Sequence, residues 1–443
     1  MLKSNFQIQR HDYVSIASLA QQISSLASQI TSYLSSNAHP EPSFEVGGGV
    51  VPVSAEYEAL RVPLNDAALD LLRLINGPRN TLRNFLFSHY DLASLQVALD
   101  RRFFHHVPLY DSDNGDGAGN KATITEVAEK AGMDENRTGR VLKMLSTHRI
   151  FEQVPGEPDT FRHTASSALL ARDADFHAMA DMQMDDMIKA TSETSTMITS
   201  SPLAADHQNH SAFHQRFGIP LYLYLEQHPY KAKRFAQAMS SWSQIDRQIT
   251  DLSNSYTWGS LGKGTVVDVG GGSGHISIAL ARQFPSLRFV VQDISHHMLS
   301  HAESSELGGR VTFQQHDFFQ PQPVRGASVY LVRQVLHNYN DADSVKILAA
   351  LVPALEVRPS ATRLLINDIV LPDSHSGGVT SKYEEHHLRQ VDFCMMVALG
   401  AKQRSQFEFD QVLKRADKRF EIVNVWRNPL GIGLVEVRLA SAV

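Results

Sequence analysis

Residues 266–294 read VVDVGGGSGHISIALARQFPSLRFVVQDI. The stretch begins as an apolar, β-branched strand at Thr265–Val267, passes through Asp268-Val-Gly-Gly-Gly-Ser-Gly274, and continues as a helix from Gly274 to Phe284. A second apolar run, RFVVQDI, follows directly. Strand, helix and strand at these lengths form a βαβ unit, which requires a parallel sheet. Gly270, Gly271, Gly272 and Gly274 allow the chain to turn tightly and let a ligand approach where any Cβ would exclude it. Asp293 closes the second strand, 19 residues beyond Gly274, where an acid accepts both hydroxyls of a ribose. Together these features predict an adenosine-containing cofactor. A dinucleotide fingerprint spaces its glycines as GxGxxG and offers pyrophosphate a bare helix N-terminus. Asp268 at the strand end would repel a pyrophosphate but suits the ammonium and sulfonium groups of S-adenosylmethionine.

Working outward, the downstream texture keeps alternating. VTFQQHD, ASVYLVRQ, TRLLINDIV, FEIVNVWR and GIGLVEVRL are strand candidates, so residues 261–443 are expected to form a doubly wound α/β domain. Upstream, residues 55–260 read as mostly helical. Helices are expected over 55–77 and 79–104, broken by Asn76-Gly77-Pro78. Within 122–165, two short helices separated by Gly132 and Asp134 precede two strand-like runs around a Pro-Gly-Glu-Pro turn, a winged-helix pattern. Residues 1–54 hold one further helix and a Gly/Pro linker. That helix carries Ile16, Leu19, Ile23, Leu26, Ile30 and Tyr33 on one stripe, which must be buried against another helix. The stripe motivates the expectation of a homodimer through the N-terminal half.

Composition narrows the functional class. The 443 residues hold 41 Lys+Arg and 47 Asp+Glu, a net charge of −6, with 42% apolar residues. That balance is globular and speaks against nucleic acid or an anionic membrane as partner. Arg137, Arg140, Lys143 and Arg149 on or beside the second winged-helix helix therefore read as a solvated face. No long apolar run predicts a membrane span. The lone Cys394 excludes an internal disulfide and a thiolate metal cage, which fits a reducing, cytoplasmic setting.

The glycine segment closely resembles the cofactor motif of class I S-adenosylmethionine-dependent small-molecule O-methyltransferases of plant and fungal secondary metabolism. The domain order resembles that family too: a helical winged-helix dimerisation domain ahead of a Rossmann-like catalytic domain. In His316-Asp317-Phe318-Phe319, the resemblance places Asp317 at the adenine amine and Phe318 against the ring. In VYLVRQVLHNYNDAD it makes His337 the general base, followed by Asn338-Tyr339 where the family has Asp-Trp, and Arg333 a cofactor contact. Two carboxylates support the base in the family. Here the first place holds Asp368 and the second holds Gln403, which can hydrogen-bond the ring but brings no charge. The resemblance implies metal-independent methyl transfer to a hydroxyl of a small secondary metabolite, of polyketide or alkaloid type. An acceptor phenol has a pKa of about 10, so it needs a base at neutral pH. Some fungal members of the fold instead use S-adenosylmethionine as an electrostatic cofactor for pericyclic or dehydration chemistry, and Arg333 with His337 would polarise the substrate in that case.

Overall fold

The computed structural model describes residues 14–109, 120–202, 207–245, 248–295, 307–372, 381–428 and 431–441. Contacts group the chain into two units: residues 1–177 with 381–383, and residues 178–380 with 384–443. The helices of residues 178–255, placed with the helical half on sequence texture, thus fall in the unit that holds the sheet.

In the first unit, helix Ile16–Ser36 starts at Ser15, which exchanges capping-box bonds with Ser18. Its apolar stripe finds a partner within its own chain. Leu19 and Leu34 are buried, and the Tyr33 ring lies 5.9 Å from that of Tyr57 at the start of helix Ala55–Asp100. The long helix is kinked at Gly77, whose φ of 65° and ψ of 173° break the helical path just ahead of Pro78. Beyond the kink it exposes apolar side chains: Phe85 is 76% exposed, with Leu82, Leu86 and Phe87 each above half.

The same unit contains β1 (Lys121–Thr123), helices Ile124–Ala131 and Glu135–Thr147, β2 (Phe151–Gln153) and β3 (Thr160–His163). The strands form an antiparallel sheet in the order β1-β3-β2. Thr123 and Glu126 form a capping box, Gly132 ends the first helix with φ of 62°, and Asp134 caps the second. These caps are the local reason the two helices start and stop where they do. On the second helix, Arg137 pairs with Asp134 and Lys143 with Asp159, so two of its cations meet acids of this unit.

The second unit centres on seven strands. Added to β4 (Thr265–Val269), β5 (Arg288–Asp293), β6 (Val311–Gln315) and β7 (Val329–Arg333) are β8 (Arg363–Asn367), β11 (Phe420–Trp426) and β12 (Leu434–Leu439). Their order is β11-β12-β8-β7-β4-β5-β6. The pairs from β8 to β6 are parallel, and β12 inserts antiparallel between β8 and β11. Near-continuous apolar strands such as Val329–Val332 are buried on both faces, as a helix-covered parallel sheet demands. This is a Rossmann-like fold. The strand order reverses between β4 and β7, the switch point beyond whose carboxyl strand ends such sheets bind their ligands.

In the same unit, a buried ion network ties helix Pro229–Ile245 to the π-helical turn Gln183–Met187. Lys231 bonds Asp185 and, at 2.7 Å, Asp186; Arg234 reaches Asp181, Asp185 and Asp186. Cys394 packs against the neighbouring apolar cluster, and burial pushes its thiol up to about 11, far from a nucleophile's range. Among the described residues no helix is long and apolar enough to cross a membrane.

Candidate active site

The turn after β4 is shaped by its glycines. Gly270 has φ of +72°, and a Cβ there would come within 2.9 Å of Val335 and 3.3 Å of the Phe318 ring. Gly274, at φ of +75°, would collide with Phe313. Both positions combine a left-handed backbone with close packing, so only glycine fits. The turn's amides are tied down locally. Gly271 N–H donates to the Gln292 carbonyl at 2.9 Å, and Gly272 N–H to Asp293 Oδ2 at 3.1 Å. Asp293 Oδ1 accepts from Ser295 N–H at 2.9 Å, which fixes the carboxylate at the end of β5.

Asp268 is 2% exposed and lies under Gly271, with Ser277 donating its hydroxyl at 2.6 Å. Burial raises its carboxyl pKa, and the Ser277 bond and the Arg333 charge partly offset that. Asp317 accepts from Phe319 N–H at 3.0 Å, fixing the loop after β6. The Phe318 ring stands edge-on to Tyr339, 5.7 Å between centroids, and Tyr339 also meets Phe319 at 5.5 Å. Gly270 thus packs on Phe318, and Gly272 is bonded to Asp293, so the glycine turn, the acid at the end of β5 and the aromatic residues after β6 lie together. These residues fit an adenosyl sulfonium cofactor.

The second half of the site leaves the end of β7. Arg333 donates to the Gln334 side chain at 2.8 Å, and Gln334 takes a left-handed φ of 50°. Such a conformation costs a non-glycine residue about 1 kcal/mol or more and persists only where the surroundings enforce it. Gln334 N–H donates to the Asn367 carbonyl at 3.0 Å, and Asn338 Nδ2 to the Gln334 carbonyl at 3.2 Å. The strained residue leads into the 3-10 turn Leu336–Asn338, which carries His337.

His337 meets both expected supports. Its Nδ1 lies 3.1 Å from Gln403 Nε2 and 3.8 Å from Asp368 Oδ1. Asp368 and Gln403 are 1% and 2% exposed. Among the described residues, Gln403 Oε1 has no hydrogen-bond partner, and the Asp368 carboxylate has none beyond the Leu336 and His337 backbone amides that face it. Exchanging the two ends of the Gln403 amide, a change that amide symmetry permits, sets Oε1 against an Nδ1–H donor. That tautomer leaves the ring's Nε2 free to take a proton.

Electrostatics make the ring neutral. Burial lowers the His337 pKa to about 4, and the Arg333 and Arg404 charges add to this. Burial pushes Asp368 up to about 7, against the lowering effect of Arg404 and Arg333. Sequence reasoning had reached His337, Asp368, Gln403 and Arg333, but not Arg404. That residue is 1% exposed on β10 (Arg404–Ser405), which pairs in parallel with β9 (Val370–Leu371). The one signal available was its place beside Gln403. Among the described residues no group of three or more His, Cys, Asp or Glu side chains is arranged to hold a metal.

Comparison with known proteins gives a consistent picture. A family model for an O-methyltransferase domain matches residues 201–418. The chain is 46% identical over 428 residues to O-methyltransferase sol2 of Alternaria solani, spanning 96% of this chain and 95% of that protein. It is 30% identical over 422 residues to a chlorophenol O-methyltransferase of Trichoderma longibrachiatum, spanning 92% and 86%. Among solved structures it resembles OxaC, with a TM-score of 0.72 at 22% identity over 96% of this chain and 98% of that one. It also resembles LepI in complex with SAM, with a TM-score of 0.67 at 19% identity over 95% and 99%. At these identities the structural likeness is one of fold.

Proposed function

Because the chain belongs to the S-adenosylmethionine-dependent O-methyltransferase family, we propose that it methylates a hydroxyl of a small secondary metabolite of polyketide or alkaloid type, with His337 as general base. The observation that carries the reading is the neutral imidazole held between Gln403 and Asp368, at the turn after β7 and beside the cofactor crevice. When bound, S-adenosylmethionine supplies an electrophilic methyl group on a sulfonium centre. Asp293 would hold the ribose, Asp317 and Phe318 the adenine, and the turn from Gly270 to Gly274 would admit the backbone side. Arg333 would contact the cofactor from the end of β7.

His337 removes the acceptor proton. A ring held near pKa 4 is a weak base by itself, so the developing imidazolium needs an anion. Ionised Asp368, 3.8 Å from Nδ1, supplies it. Gln403 orients the ring without adding charge. The active form therefore has neutral His337 and ionised Asp368, and its population rises through pH 7.

The test is to supply methyl-labelled S-adenosylmethionine with phenolic acceptors, a chlorophenol among them, and count label in the organic extract. Labelled product equal to cofactor consumed is expected. Product formed without label would reject methyl transfer and favour electrostatic use of the cofactor by Arg333 and His337.

We also propose that the chain works as a homodimer. The apolar face of helix Ala55–Asp100 beyond its kink supports this, and a second copy of the same face is the simplest cover. Burying Phe85 and its neighbours would contribute several kcal/mol at about 25 cal/mol per Å². Sedimentation at micromolar concentration should give a dimer, and Phe85→Glu should yield a folded monomer. A wild-type monomer would overturn the proposal.

A further inference from the structure

The turn that carries His337 is gripped from behind. Arg404 donates from Nη1 to the Leu336 carbonyl at 2.8 Å and from Nη2 to the Tyr339 carbonyl at 2.9 Å. These carbonyls flank His337 in the chain, one residue before it and two after. The guanidinium is held in turn by Asp341 Oδ1, at 3.1 Å from Nε and 2.9 Å from Nη2. Asp341 opens helix Asp341–Leu355, the next element after the turn. Lys402 and Arg415 also face Asp341, at 3.4 and 3.9 Å.

We propose that Arg404 is a positioning residue for the reaction: its planar fork holds both ends of the His337 turn, while its neighbour Gln403 holds the ring. The proposal rests on His337 being the base.

Three observations converge on it. A buried guanidinium carries a heavy desolvation penalty, and hydrophobic residues of similar size would pack without it, so a specific geometric task is the natural reason for its presence here. The turn needs outside support, because Gln334 enters it with φ of 50°. The anchor is also rigid. Arg404 sits in register with Val370, two residues past Asp368, so one pair of short strands sets both the anion under the ring and the fork behind it. Lysine carries the same charge but is a single point donor, and it cannot bridge two carbonyls and a carboxylate in a plane.

The test compares wild type, Arg404→Lys and Arg404→Met as full chains, by amide hydrogen exchange with mass spectrometry and by S-adenosylmethionine calorimetry. In Arg404→Lys, exchange across residues 335–340 should rise about tenfold or more. Exchange in β7 and β8 should stay at wild-type rates, and cofactor affinity should stay within about threefold. With whichever phenol accepts label, kcat should fall at least about tenfold, while KM for the cofactor moves little. Arg404→Met should show the same pattern more strongly. If Arg404→Met does not fold, Arg404→Lys alone decides.

Unchanged exchange at 335–340 in a folded Arg404→Lys variant would overturn the proposal. So would loosening spread evenly over the sheet, or a kcat loss matched by an equal loss of cofactor affinity. The exchange measurement needs no acceptor, so it separates this inference from the assignment of the base. If His337→Ala kept the wild-type rate, the base assignment would fail even with the exchange pattern intact, and Arg404 would be left with a structural role only.

Discussion

The turn after β4 and the turn after β7 leave neighbouring strands of one sheet, and they are held in opposite ways. The first is held by its own backbone. Its amides find partners at Gln292 and Asp293, within the same βαβ unit, and its conformation depends on glycines in a row. The second is held by side chains from distant segments: Asp368 after β8, and Gln403 and Arg404 on the approach to and within β10. The first turn is a cradle whose shape comes from what its residues lack. The second is a clamp whose shape comes from what others bring. One lesson is that cofactor binding and catalysis should be separable by mutation, although the two sites share a crevice.

The largest expected effect breaks the clamp at its centre. His337→Ala should lower kcat by about 10²–10⁴, the range for loss of a general base. Cofactor affinity by calorimetry should stay within about threefold, because no contact of the first turn is touched. A parallel loss of affinity would show that the two turns are not independent.

Next in size is the converse change. Asp293→Ala removes the ribose acceptor and the partner of Gly272 N–H. Cofactor affinity should fall about thirtyfold or more, equivalent to about 2–3 kcal/mol for charge-assisted bonds. At saturating cofactor, kcat should return close to wild type. Unchanged affinity would remove Asp293 from the cofactor site.

The smallest effect concerns Asp368 and sharpens the comparison by pH. Since ionised Asp368 is the active form, kcat should rise as pH increases through about 7, and Asp368→Asn should be slower by several-fold and lose that limb. Stability should move the other way. The folded pKa of Asp368 lies above its ordinary value of 3.8, so folding takes up a proton between the two. The stability from the protonated group is therefore present at low pH and lost as pH rises through about 7. Between pH 5 and pH 8, Asp368→Asn should gain on wild type by about 2–3 kcal/mol at most. Denaturant unfolding at the two pH values checks this, and parallel curves for the two proteins would refute it.

The sequence by itself determined the parts whose physics is local. The glycine turn, the acid at the end of β5, the Gly77 break and the winged-helix caps were all legible, because a left-handed φ, a strand end or an N-cap depends on residues within a few positions. His337, Asp368, Gln403 and Arg333 were reached through resemblance to a family rather than from their spacing, since nothing in the chain itself says that positions 337, 368 and 403 meet. Tertiary structure alone decided three things. The stripe on the first helix is covered by the long helix of its own chain, because a periodic pattern says that a face is buried but not by what. Contacts also drew the line between the two units near residue 177 rather than 260, because helical texture is the same on either side of it. The role of Arg404 was invisible too. An arginine reads as a surface charge in sequence, and only the pairing of β9 with β10 carries it to the carbonyls of the His337 turn.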